Sequence, residues 1–218
     1  MIPRLLPLAL LLAAPIAVAA DATTYIGVLA AEPPARIAVV VEGDTFLAYA
    51  CGKTDEFNQA HSAWFKGKVS NGRMEATAGD KTFTASVDKG AVRGSLATDG
   101  RAKEFAAKPV PTSAIAGLYR ATREVGGDTL VLGWIVDAKH QVAGGCQGKK
   151  RKAIALQPAA PLPPPPPGDE PPPAEQVRQA EELIVEQVDA DPGVSVQGEK
   201  VKSAVNPPGG KVIRAAKK

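Results

Sequence analysis

His61 and His140 are the two imidazoles of this 218-residue chain, and Cys51 and Cys146 are its two thiols. A hydrolytic triad needs a Ser or Cys within reach of a His that an acid orients. His61 adjoins Ser62, but successive side chains of a strand point to opposite faces, so their adjacency argues against a working pair. His140 closes the connection Asp137-Ala138-Lys139-His140, where an exposed turn is the plain reading. No local hydrolase signature is present, so hydrolysis ranks last among the functional readings.

Metal and phosphate chemistry fare no better. Two histidines without clustered carboxylates offer no local spacing for a zinc tetrad or a calcium loop. Asp55 and Glu56 lie in KTDEFNQ, a polar stretch between strands that reads as a loop. The glycines concentrate at turn signals, and neither GxxxxGK(S/T) nor a strand-then-helix GxGxxG occurs. The residues thus name no catalytic group, metal ligand or cofactor.

Two features remain. An even cysteine count in an oxidising compartment reads as a disulfide between Cys51 and Cys146; chain entropy would make a bridge over so long a loop worth about 4–5 kcal/mol. Lys149, Lys150, Arg151 and Lys152 form a basic run that could meet an anionic surface such as envelope polymer or lipid headgroups. A solvated domain edge is the plainer reading, and four charges without interleaved aromatics carry no specific nucleic-acid signal.

The compartment follows from the amino terminus. Arg4, the apolar stretch Leu5 to Ala14 and the small residues Ala17, Ala19 and Ala20 make up the three parts of a secretory signal peptide over residues 1–20. An uncleaved anchor is the alternative; Pro7 and Pro15 interrupt a run already shorter than the roughly 20 residues a span requires. The mature chain is therefore expected to be exported, periplasmic or extracellular, with no transmembrane segment.

From Tyr25 to Cys146, short alternating or apolar runs are separated by turn dipeptides: Gly43-Asp44, Asn71-Gly72, Gly79-Asp80, Lys89-Gly90 and Asp99-Gly100. Turns every 8 to 12 residues or so predict an all-β antiparallel meander of about ten strands over residues 21–155. Closing such a sheet removes its edges, which favours a barrel over a sandwich. Residues 156–173 are proline-rich and read as a semi-rigid polyproline linker. Val177, Ala180, Ile184 and Val188 then recur at helical spacing and predict one short amphipathic helix over 174–190. The basic tail, 191–218, reads as extended or disordered. Charge is blocked along the chain: 18 basic against 14 acidic residues over 21–156 (+4), one against eight over 169–191 (−7), six against one over 192–218 (+5).

YIGVL, ARIAVVVEGDTFLAYACGK, WFKGKVSNGRM, AGLYRA and LGWIV resemble a recurrent β-rich domain of exported bacterial proteins. The resemblance covers about residues 24–146 and implies compartment and fold; it brings no activity and no catalytic residues. The leading expectation is a non-catalytic binding or interaction module of the bacterial envelope or exterior, whose partner could be a small apolar ligand in a barrel mouth or an envelope polymer or protein. The alternative is a structural or adhesive envelope protein acting through its charged tail.

Overall fold

The computed structural model describes residues 21–111, 114–156, 158, 161–166, 171–184 and 194–214; the expected signal peptide lies outside these residues. Eight strands, β1 (Thr23–Leu29), β2 (Ala35–Glu42), β3 (Thr45–Cys51), β4 (Ala63–Ser70), β5 (Arg73–Ala78), β6 (Lys81–Asp88), β7 (Ala91–Thr98) and β8 (Arg101–Val110), pair each with the next, and β8 returns to β1 to close a barrel. Tight hairpins make this order possible. At Asn71-Gly72, Lys89-Gly90 and Asp99-Gly100 both loop residues have positive φ, the backbone of the two-residue turn whose twist matches its strands.

Closure also needs corners. A Cβ on Gly27 would sit 2.3 Å from the Ala106 carbonyl oxygen, and one on Gly94 2.1 Å from that of Thr84. Only glycine lets neighbouring strands approach so closely, and such glycines mark where a barrel bends. The interior is filled: Phe83 lies 5.4, 5.6 and 5.8 Å from the rings of Phe46, Phe65 and Phe105, among Leu29, Ile37, Val39, Met74, Val92 and Leu96. Helix α1 (Asp55–His61) sends Phe57 into this core. The KTDEFNQ stretch read as a loop is thus mostly helix. Thr54 caps it by accepting from the Phe57 N–H at 3.2 Å, and Asp55 and Glu56 occupy the first turn, where carboxylates suit the helix dipole.

The meander does not continue around one barrel of ten strands. It closes after eight, and β9 (Gly117–Val125), β10 (Asp128–Val136), β11 (Val142–Gln147) and β12 (Ile154–Leu156) form a second sheet. Its inner face, with Leu118, Ile135 and Ala143, packs on the barrel's outer residues Ala38, Val40, Leu47, Tyr49 and Cys51. Its outer face, with Tyr119, Leu130, Leu132, Trp134 and Cys146, forms a separate core. Each large apolar side chain buried this way contributes roughly 1.5–3 kcal/mol.

That outer face is covered by the chain beyond the proline run. Helix α2 (Ala174–Glu181) is followed by β13 (Glu182–Ile184), β14 (Val194–Gln197), β15 (Glu199–Lys200) and β16 (Lys211–Arg214); β15 pairs with β9, while the other three form a small sheet. Trp134 Nε1 donates to the Ala180 carbonyl at 2.8 Å, and Gly198 lies against the indole, where a Cβ would meet Cη2 at 2.0 Å. The helix expected over 174–190 therefore stops at Glu181, its remainder from 185 lying outside the described residues. Within the described part of the tail, 194–214, the chain is ordered rather than disordered: Val201 and Ala204 are buried between barrel and sheet, and Glu42 accepts from Ser203 Oγ at 2.6 Å and from the Ala204 N–H at 2.9 Å. The proline linker is not a free spacer either, since Leu162 packs on the outer core and the Pro163 carbonyl lies 2.7 Å from His140 Nδ1.

Candidate functional site

The predicted disulfide is the first site residue pair to settle. Cys51 and Cys146 are both free and buried. Strand alternation explains the separation: on β11, Ala143 and Gly145 face the barrel, whereas Cys146 points into the opposite core. Cys51 instead donates its thiol to the Ala143 carbonyl at 3.2 Å. Burial drives the Cys51 thiol well above the ordinary range and pushes that of Cys146 up to about 12, against the opposing influence of Arg151. Thiols so disfavoured as thiolates are poor nucleophiles.

The histidines are likewise dispersed. His140, at a positive φ of 59°, faces the proline segment. His61 ends α1 with its ring 5.0 Å from Phe57 and Nδ1 3.0 Å from Thr98 Oγ1. Ser62 turns the other way, donating to the Ala50 carbonyl at 2.7 Å, so the adjacent His–Ser pair does not converge. Among the described residues no group of three His, Cys, Asp or Glu could hold a metal ion.

The basic run is where the structure adds most. Asp128, nearly buried, accepts from the backbone N–H groups of Lys149 and Lys150, each at 3.1 Å. Gly148 fits only because it lacks a Cβ, which would fall 2.4 Å from Asp128 Oδ2. This anchor folds the run back onto the barrel: Arg151 and Lys152, with Lys81 of β6 and Asn58, Gln59 and Ser62 of the helix segment, line a cleft of about 410 Å³. On the other side of α1, His61, Thr98, Asp99, Arg101 and Lys103 line a recess of about 490 Å³. Five cations from three separate stretches of chain therefore flank one short helix. Carboxylates temper them: Asp80 pairs with Lys81 at 2.8 Å, Asp99 lines the recess, and Asp55 and Glu56 stand in the first turn of the helix itself. Lys81 links the two sides electrostatically, since His61 is held below the usual imidazole range by burial first, then by Lys103 and Lys81.

Sequence reasoning found Lys149–Lys152 and missed Lys81, Arg101 and Lys103, which stand at the ends of strands β6 and β8. Their common signal is position: each directly follows, or lies within three residues of, a turn dipeptide, and hairpin ends of one barrel rim gather in space. Comparisons with known protein families, with curated proteins and with solved structures give no match. The fold and this basic end of the barrel are thus what the molecule itself offers.

Proposed function

We propose that this chain is an exported, non-catalytic binding module of the bacterial envelope or exterior, whose working surface is the basic end of the barrel around α1. The observation that carries the reading is the convergence of Lys81, Arg101, Lys103, Arg151 and Lys152 on the two hollows beside that helix. Concave junctions between structural layers are where ligands are most often held, and clustered cations raise the local concentration of anions. The barrel interior does not compete as a site, because aromatic and aliphatic side chains occupy it, which weighs against the small apolar ligand. Export rests on the signal-like residues 1–20; the unpaired cysteines withdraw one of its supports.

Titrating the mature chain with a fluorescent anionic polysaccharide at low ionic strength tests this reading. Micromolar binding that weakens as salt rises, and that falls about tenfold or more on Arg151→Glu with Lys152→Glu, is the expected result. Binding indifferent to both changes sinks it. The second reading, adhesion through the tail, is weakened by one observation: residues 199–210 are engaged with β9, Glu42 and Lys66 rather than held out from the body.

A further inference from the structure

We infer that the anionic partner is a polysaccharide chain laid across α1, and that its binding is coupled to proton uptake on His61. The inference rests on the binding reading above and adds to it a ligand class and a regulation.

The class follows from what lines the two hollows. Neither contains Phe, Tyr or Trp, so bases of a nucleic acid would find no stacking platform. Among the described residues the large apolar side chains exposed on the surface, Val28 and Val205, line neither hollow, so neither hollow offers an apolar group to a bilayer. What is present suits a hydroxyl-rich chain with spaced negative charges. Gln59 and Gln147 offer amide groups on one side, and Lys and Arg stand on both. His61 itself lines the second hollow with Arg101 and Lys103, so an anion held there lies beside its ring.

The regulation follows from the surroundings of that ring. Phe57 packs on it from within α1, and Thr98 Oγ1 meets Nδ1 from β7. Burial of the ring disfavours a proton there first, then Lys103 of β8 and Lys81 of β6, while Asp80 and Asp99 in the adjoining turns favour one; Arg101 of β8 lines the same recess. The hydroxyl of Thr98 can donate to a neutral ring or accept from a charged one, so protonation costs no hydrogen bond. An arriving sulfate or carboxylate offsets the ammonium charges of Lys81 and Lys103, which removes the electrostatic part of the opposition to a proton on the ring and leaves the part due to burial. By linkage, the anion promotes the proton and the proton promotes the anion.

The test uses dextran sulfate, whose sulfate esters keep their charge throughout, titrated calorimetrically into the mature chain at constant ionic strength. Between about pH 8 and pH 5.5, affinity should rise several-fold, bounded by about tenfold per pH unit for one proton, and two buffers of different ionisation heat should register that proton. His61→Asn should lose the rise in acid, its affinity at pH 5.5 no greater than its own at pH 8. His140→Asn, which retains a residue tolerant of positive φ, should keep the rise. Pre-existing binding without pH dependence, or a rise that survives His61→Asn, overturns the coupling and leaves the binding reading intact. Tighter binding to single-stranded DNA or to anionic vesicles overturns the polysaccharide assignment, and no binding to any of the three overturns both proposals.

Discussion

The barrel has two unlike sides. Strands β5 to β8 bury one face and leave the other in water, as in β6, where Phe83 and Ala85 are buried between more exposed neighbours. All seven residues of β3 are buried, and six of eight in β2, because their outer face is roofed by the second sheet. The sheet itself has both faces covered, by the barrel on one side and the carboxy-terminal layer on the other. One side is therefore stabilised by the barrel core alone, and the other only when three layers are assembled in register.

Truncating one central aromatic on each side should separate these modes. Phe83→Ala and Trp134→Ala each remove a fully buried ring and should each cost about 3–5 kcal/mol. The first should lower the stability of the whole molecule in urea. The second should release the carboxy-terminal layer first, seen as amide exchange in α2, β14 and β15 while the barrel stays protected; simultaneous loss of protection in the barrel would erase the distinction. Tyr49→Phe probes the contact between layers, since its hydroxyl donates to the Gly145 carbonyl at 3.0 Å across the interface. Loss of about 1–3 kcal/mol is expected, with the hairpin rhythm of the barrel unchanged by circular dichroism.

A smaller effect belongs to Glu42, whose carboxyl is held below its ordinary value of 4.5 by the Ser203 hydroxyl and then by the Val205 N–H. A depressed carboxylate stabilises the folded state above its ordinary value and loses that contribution as pH falls through the folded one. Exchange protection of residues 199–205 should therefore decline in acid, and Glu42→Gln should flatten that decline. Smallest of all, Thr84→Val on the open side, where the hydroxyl meets only Ser95 at 3.1 Å on the surface, should change stability within about 0.5 kcal/mol.

The open side was the legible one. Strands RMEATA, KTFTASV, AVRGSLA and RAKEFAA alternate, and their turn dipeptides lie where the hairpins are. The roofed side carried its signal in a form that reads as mere strand: IAVVV, TFLAYAC and LVLGWIV are apolar on both faces, which strands covered on both sides share. That pattern could have announced a second layer, but not which segment supplies it, because the partner surfaces are far apart in sequence. The disulfide failed for a similar reason, since counting cysteines is blind to the face of β11 on which Cys146 emerges. Helix α1 was hidden by its length of seven residues, with only the cap Thr54 and the acidic first turn to mark it. Of the site, one contiguous run was visible, and the three cations it meets were scattered among ordinary strand ends.

The closure of β1 upon β8 also has a meaning in time. Every pairing inside the barrel joins strands adjacent along the chain except that one, so all its partners exist once residue 110 has emerged. The second sheet needs the finished outer surface of β2 and β3 as its template, and α2, β14 and β15 need that sheet. A chain delivered from its amino terminus can thus complete each layer on one already built, and a pause after the barrel would leave Tyr49, Leu47 and Val40 as the apolar surface awaiting cover.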